Sequence, residues 1–215
     1  MTRFITRDYS PAIAGHLAEE GFPEPLARVL AARGIESAQD LKADWRAMLP
    51  PETLTGTRAA AKLLADAIEA HKKIMVIADY DCDGATACAV AIRGLRSMGA
   101  TVDYLVPDRF IYGYGLTPGI VDLAPQKGAQ LILTVDNGMA SFVGLPQANK
   151  SGIDVIITDH HLPAETLPAA ACIVNPNTPG CSFASKNLAG VGVMFYVLMA
   201  LRAEFRNRGK FDVRT

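Results

Sequence analysis

The stretch KIMVIADYDCDGATA (73–87) decides how this chain folds. A short apolar run rich in β-branched residues, KIMVIA (73–78), passes directly into Asp79, Asp81 and Asp83. Gly84 and a helical pattern, GATACAVAIRGLRSMG (84–99), follow. Such a run bounded by turn residues predicts a buried strand. The same order recurs twice downstream: QLILTV (130–135) leads to Asp136 in VDNG, and IDVIIT (153–158) leads to Asp159, His160 and His161. Further strands are expected at TVDYLVP (101–107) and CIVN (172–175). Helical patterns fill 117–128, where Pro125 interrupts or ends the helix, and 141–152, with a last long helix over 188–208. Strands alternating with helices predict an α/β fold, a parallel sheet flanked by helices. Parallel strands deliver their carboxyl ends to one edge, so the three polar clusters are expected to meet there.

Working outward, residues 1–57 read as a small helical N-terminal region and linker, and 58–215 as the α/β domain. PEPLARVLAARG and SAQDLKADW carry helical apolar spacing on either side of Gly34. MLPPETLTGT (48–57) reads as the linker, because Pro50 and Pro51 break helix. Thr57 is placed to cap the helix RAAAKLLADAIEAHKK.

Composition narrows the function. Half of the 215 residues are hydrophobic and the net charge is −1. That balance excludes a globally basic nucleic-acid-binding surface, so an anionic partner has to be argued from a site. The four cysteines, Cys82, Cys88, Cys172 and Cys181, form no C-x-x-C pair and no zinc spacing, which predicts free thiols in a reducing compartment. MTRFITRDYSPAIAG lacks the apolar core of a signal peptide, and VGVMFYVLMAL is too short to span a bilayer. The expected location is the cytoplasm, with no membrane partner.

The chemistry lies at the strand ends. On an extended segment, Asp79, Asp81 and Asp83 would share one face, and three such carboxylates stay ionised only beside a cation or strong donors. A solvated acidic turn is the plainer reading of that cluster alone. Asp136 is equally a turn residue taken by itself, although a strand-end aspartate can also bridge two metals. Adjacent histidines are the sharper signal: one imidazole suits a metal, oriented by Asp159 or a carbonyl, and the other suits a phosphate. Carboxylates with few imidazoles and no thiolate favour Mn²⁺ or Mg²⁺ over structural zinc. Arg109, in PDRFIYGYG, is either a phosphate clamp or an ordinary surface arginine. Lys186 reads more naturally as a solvated loop lysine than as a phosphate contact. AGVGVMF (189–195) lacks the third glycine of a dinucleotide fingerprint. No P-loop and no Ser/His/Asp hydrolase signature appears.

DYDCDGAT, VDNG and Asp159-His160-His161 resemble the first motifs of the DHH phosphoesterase superfamily. LAARGIESAQDL, YLVPDRFIYGYGL, IVNPN and KNLAGVGVMFY extend the likeness to its single-strand-specific 5′→3′ DNA exonucleases. The resemblance implies a two-metal hydrolysis of phosphodiester bonds releasing 5′ mononucleotides, in DNA repair and recombination. Asp81 would then ligate one metal with Asp79 in support, and Asp83 and His160 the other. Asp136 would bridge the two, acting as a catalytic residue with His161, which would contact the scissile phosphate, and Arg109 would stand near the 5′ phosphate. Single-stranded DNA is the implied partner, with single-stranded-DNA-binding protein and a helicase alongside. The chain is expected to stop before the family's fourth motif, with its DHHA1 and OB-fold domains absent; Asp212 in KFDVRT lacks the strand context of the missing ligand. Two alternatives stand beside this reading: another DHH phosphoesterase, cleaving oligoribonucleotides or cyclic dinucleotides, and an inactive DNA-binding or scaffold fragment.

Overall fold

A computed structural model of the chain describes residues 5–42 and 44–211. Asp212 therefore lies outside the described residues. The chain forms two compact units, residues 1–48 and 49–215. In the first, Ser10 caps α1 (Pro11–Glu19) and α2 (Glu24–Ala31) follows. Ala14, Leu17, Ala27 and Ala31 are buried against Tyr9, Phe22 and Leu30, a core of small residues that lets the two helices approach closely. In the stretch 37–45, the described residues differ from the helix their spacing predicts. They form 3₁₀ turns at Ala38–Leu41 and Trp45–Ala47, because Asp40 bends back to accept hydrogen bonds from the amides of Glu36 and Ser37. That local competition by a short acidic side chain works against regular helix.

The second unit begins with the stretch read as a linker, which packs into the unit through a 3₁₀ turn at Pro51–Thr53. Thr57 is the first residue of α3 (Thr57–Glu69) and not its cap; Gly56, at φ 90°, holds that place. A side chain is excluded at Gly56, since a Cβ there would stand 2.1 Å from the carbonyl oxygen of Ile173. The Thr57 hydroxyl instead donates to the carbonyls of Pro51 and Leu54, closing the turn before the helix.

From there strand and helix alternate as the sequence predicts. β1 (Ile74–Ala78) leads to α4 (Cys82–Ser97), β2 (Val102–Leu105), the single turn α5 (Arg109–Tyr112) and α6 (Pro118–Gln126). β3 (Leu131–Val135), α7 (Gly144–Lys150), β4 (Asp154–Thr158), β5 (Cys172–Val174) and α8 (Gly190–Asn207) complete the unit. Pro125 does not interrupt α6, which runs through it and ends one residue later at Gln126. All five strands are parallel, in the order β2-β1-β3-β4-β5. Met75, Ile77, Ile132, Val155 and Ile157 face α6 and α7 in one buried cluster with Ile120, Val121 and Leu145. The alternate residues face the side where α3, α4 and α8 pack together. Strands covered on both faces are expected to be continuously apolar, and β1 and β3 are buried along their whole length.

The strand order places the site. After β1 the chain goes to one side of it, for β2, and then returns to the other side for β3. The carboxyl ends of β1 and β3 therefore flank a topological switch point, the crevice in which open α/β sheets bind ligands. Gly84 makes the turn after β1 possible: a Cβ there would lie 2.4 Å from the Asp79 carbonyl oxygen and 2.6 Å from its carbon. Backbone cannot yield as a side chain does. Gly84→Ala is expected to cost about 1–3 kcal/mol in urea unfolding despite alanine's better helix propensity; an unchanged or higher midpoint would show the turn to be free to relax.

Candidate metal centre

Each polar cluster is carried by a different local device. The three aspartates of DYDCDG do not share one extended face, because the helix begins sooner than the sequence suggests. Asp79 closes β1, Asp81 caps α4 by accepting from the Gly84 amide at 2.8 Å, and Asp83 lies in the first turn. Asp136 ends β3 in the left-handed region at φ 60°, a conformation that aspartate tolerates better than most residues. The next residue, Asn137, is buried and donates to the carbonyls of Ile77 and Val135 at 3.1 and 2.9 Å. One side-chain amide thus ties the ends of β1 and β3 together at the switch point.

Asp159 closes β4 and is nearly fully buried. Its carboxylate accepts from the amides of Met139, His160 and His161 and pairs with His161 Nδ1 at 2.7 Å. Burial alone would raise its pKa, but the His161 ring and the Met139 and His161 amides more than reverse this, holding it below the usual range. Asp159 therefore orients His161, not His160. The pairing pushes the His161 pKa up to about 9, against the opposing effect of burial. With Nδ1 engaged by Asp159, the ring has Nε2 left to face solvent or a ligand.

The clusters converge. His160 Nε2 lies 3.0 Å from Asp136 Oδ1 and 3.5 Å from Asp83 Oδ2. One ligand atom each from Asp79, Asp81 and Asp136 falls within a 4.8 Å span, and so does one each from Asp136, His160 and His161. The two sets share Asp136. Its Oδ1 is buried and receives no hydrogen bond; His160 Nε2 is close to it but not aligned to donate. Burial, followed by the charges of Asp83 and Asp81, pushes its pKa up to about 7. A buried carboxylate oxygen without a donor is costly, and a cation is the partner that would relieve it. The oxygen-rich donor set fits a hard divalent ion.

Asp83 is engaged elsewhere as well. Its two oxygens accept from the Gly190 and Val191 amides at the N-terminus of α8, at 2.7 and 2.8 Å. The first glycine of AGVGVMF is thereby explained: a Cβ on Gly190 would stand 2.6 Å from Asp136 Oδ1, so the glycine admits α8 to the carboxylate cluster.

Arg109 reaches Asp79 from α5, at 2.9 and 3.2 Å to its two oxygens. Its guanidinium lies 3.9 Å from the ring centre of Tyr80 and 5.0 Å from that of Tyr114. Burial and then the charges of Asp159, Asp79 and Asp136 push the Tyr114 hydroxyl pKa upward. Beyond Tyr114 a cavity of about 210 Å³ opens beside His161, walled by Met139, Phe142 and Leu162. Lys186 stays outside the cluster, donating to the carbonyls of Pro176 and Cys181. Asp79, Asp81, Asp83, Asp136, His160, His161 and Arg109 are thus brought into one crevice. Sequence reasoning missed Tyr80, Tyr114, Asn137 and the two α8 amides. The tyrosines lie inside the quoted motifs DYDCDGAT and YLVPDRFIYGYGL but were given no role there, whereas the amide contacts left no residue-type signal.

Both raised pKa values have the same sign for stability. Asp136 favours its protonated form when folded, so stability falls as pH rises from the ordinary aspartate value to about 7. The contribution of protonated His161 is complete below 6.5 and is lost as pH rises through about 9. The metal-free protein is expected to show a falling thermal midpoint from pH 5 to pH 9. Asp136→Asn should flatten the lower part of that slope, and a midpoint rising across the same range would contradict the assignment.

The DHH family N-terminal domain model matches residues 73–213. Over 193 residues the chain is 50% identical to the single-stranded-DNA-specific exonuclease RecJ of Escherichia coli K12, covering 89% of this chain and 33% of the relative. The RecJ of Bacillus subtilis is 39% identical over 196 residues, covering 87% and 25%. The chain thus spans about a third of the length, or less, of these curated relatives. The crystal structure of RecJ in complex with Mn²⁺ from Thermus thermophilus is similar at TM-score 0.67 and 32% identity, covering 91% of this chain and 28% of that one. That of exonuclease RecJ bound to manganese gives TM-score 0.67 at 36% identity, covering 74% and 40%. The matched span runs from β1 through α8 and contains every residue of the crevice, and on that ground this chain belongs to the DHH family.

Proposed function

We propose that this chain is the N-terminal, metal-holding part of a 5′→3′ exonuclease that hydrolyses single-stranded DNA to mononucleotides, in DNA repair and recombination. The observation that carries the reading is Asp136, which both sets of ligand atoms share and whose buried Oδ1 receives no hydrogen bond. The names of the relatives supply the substrate, and the manganese of the related structures supplies the metal class.

Asp79, Asp81 and Asp136 would hold one Mn²⁺ or Mg²⁺; Asp136, His160 and Asp83 would hold the other. When bound, such a pair supplies Lewis acidity and an activated water for in-line displacement at phosphorus. The chain's own residues do the rest. His160 suits a ligand, because its Nε2 already lies beside Asp136. His161 suits a donor, because Asp159 fixes its Nδ1 and keeps the ring protonated at neutral pH. Its Nε2–H would hold a non-bridging phosphate oxygen. Arg109, stacked between two tyrosines, would exchange part of its contact with Asp79 for the 5′ phosphate. Phe142, Tyr114 and Leu162 offer the flanking bases apolar and aromatic surface, the sequence-tolerant grip of single-strand binders.

Partners follow from the substrate: a helicase to open the duplex and a single-stranded-DNA-binding protein to keep it open. The location that goes with this reading is the cytoplasm, where the DNA lies and where free thiols such as the four cysteines persist. No described helix is long and apolar enough to cross a membrane.

Calorimetric titration with Mn²⁺, and nucleotide release from 5′-labelled single-stranded DNA, test the reading together. Asp136→Asn should weaken Mn²⁺ binding about 100-fold or more while stabilising the metal-free fold, by on the order of 1 kcal/mol, through removal of a buried charge. Nucleotide release in Mn²⁺ should vanish in the same variant. Mn²⁺ affinity preserved within threefold would sink the proposed site.

A further inference from the structure

We infer that Asn175 and Asn177, in the turn after β5, are positioning residues whose side-chain amides set the two histidines against Asp136 and the substrate. The inference rests on the proposed function for its consequence and on hydrogen bonds alone for its geometry.

The backbone of residues 159–161 is held from two sides. On one side, the amides of His160 and His161 both donate to Asp159 Oδ1, at 2.7 and 3.1 Å. On the other, the carbonyl oxygens of the same two residues accept from asparagines. Asn177 Nδ2 donates to the His160 carbonyl at 2.6 Å, and Asn175 Nδ2 to the His161 carbonyl at 2.8 Å. Both peptide units are thus satisfied at N–H and at C=O by short side chains from fixed elements. A backbone clamped in this way fixes the point and direction from which each imidazole leaves the chain.

The clamp is itself anchored. Asn175 is fully buried, and its Oδ1 accepts from the Asn177 amide at 2.8 Å, so the two asparagines are coupled. Thr178 donates to the Asn175 carbonyl through its hydroxyl at 2.9 Å. Pro176, between the asparagines, has no N–H to satisfy, and its carbonyl accepts from Lys186 Nζ at 2.7 Å. The Asp159 amide donates to the Val174 carbonyl at 3.1 Å, joining the ends of β4 and β5. The turn after β5 therefore splints the turn after β4. Lys186, which the sequence leaves as a loop lysine, is the outer fastening of that splint.

The chemistry demands amides. A carbonyl needs a donor, and aspartate at either position would set a charged oxygen against it. If Asn177 served only to form a turn, aspartate would replace it well and alanine poorly, since Asn and Asp tolerate the same turn conformations. If it positions His160, the order reverses. Asn177 is the position to vary, because it is only half-buried and a carboxylate there need not unfold the chain.

The test compares Asn177→Asp with Asn177→Ala in the whole chain by two readouts. The first is hydrogen exchange of the His160 and His161 amides in metal-free protein, beside the amides of β3 as an internal standard. The second is Mn²⁺ affinity by calorimetry. The expected result is loss of local protection and of affinity in both variants, about tenfold in alanine and further in aspartate, with β3 protection kept. Aspartate behaving as well as alanine or better, or both variants matching wild type, would overturn the inference. Should either variant prove globally unfolded, Asn177→Ser, which keeps a donor, is read against alanine; equal exchange at His160 in the two would likewise overturn it. Were wild type to bind no Mn²⁺, the proposed function would fall, while the exchange experiment would still decide the clamp.

Discussion

Crowding of carboxylates at the β1/β3 switch point is the constraint on which the rest of this structure depends. Asp79, Asp81, Asp83, Asp136 and Asp159 converge on one sheet edge, and several are largely buried. Unpaired charges in such a place repel one another and lose water. Four of the five are answered from within the protein. Asp79 has Arg109, Asp81 has the Gly84 amide, Asp83 has two amides of α8, and Asp159 has three amides and His161. Asp136 Oδ1 receives no hydrogen bond from the described residues, and its carboxyl accordingly titrates near neutrality.

That division explains the architecture around the site. α8 enters close enough to serve Asp83 only because residue 190 is glycine, and α4 starts only because residue 84 is glycine. Asn137 holds the β1 and β3 ends at a fixed spacing, so Asp136 stays between Asp81 and His160. Preorganisation of this kind stores cost in the metal-free state, which a cation then relieves. Binding of a cation to the folded cluster alone would stabilise the fold by linkage.

The sequence made the parallel sheet and its polar edge legible, because strand runs such as QLILTV are continuous and abut their acids directly. It also marked every charged residue of the crevice. Hidden from it were contacts made by backbone. The placement of Asp81 as a cap depends on the helix starting at Cys82, two residues ahead of the apparent glycine start. The partners of Asp83 are amides 107 and 108 residues away, which carry no residue-type signature. The asparagines of IVNPN were visible as a motif, but their purpose required knowing that the turns after β4 and β5 lie side by side. Residues 37–45 were misread for a related reason, since a short acidic side chain there captures the backbone that periodicity alone assigns to helix.

The charge balance of the crevice also accounts for a near-neutral protein that would act on a polyanion. Five carboxylates face two cations, Arg109 and His161, and both cations are already committed to carboxylates. Without a cation the carboxylates outnumber the cationic groups beside them, a balance that would disfavour phosphate. Two divalent ions would reverse its sign within a few ångströms, where Coulomb interactions are strong and salt screens them least. Under the proposed function, attraction for DNA would then arise at the point of chemistry, after metal loading. Arg109 would bind phosphate only by loosening Asp79, whereas His161 would keep Asp159 at Nδ1 and offer Nε2. For Arg109 that exchange would be favourable once a cation holds Asp79 and unfavourable before. Under the proposed function, the electrostatics of the cluster would therefore favour metal before strand.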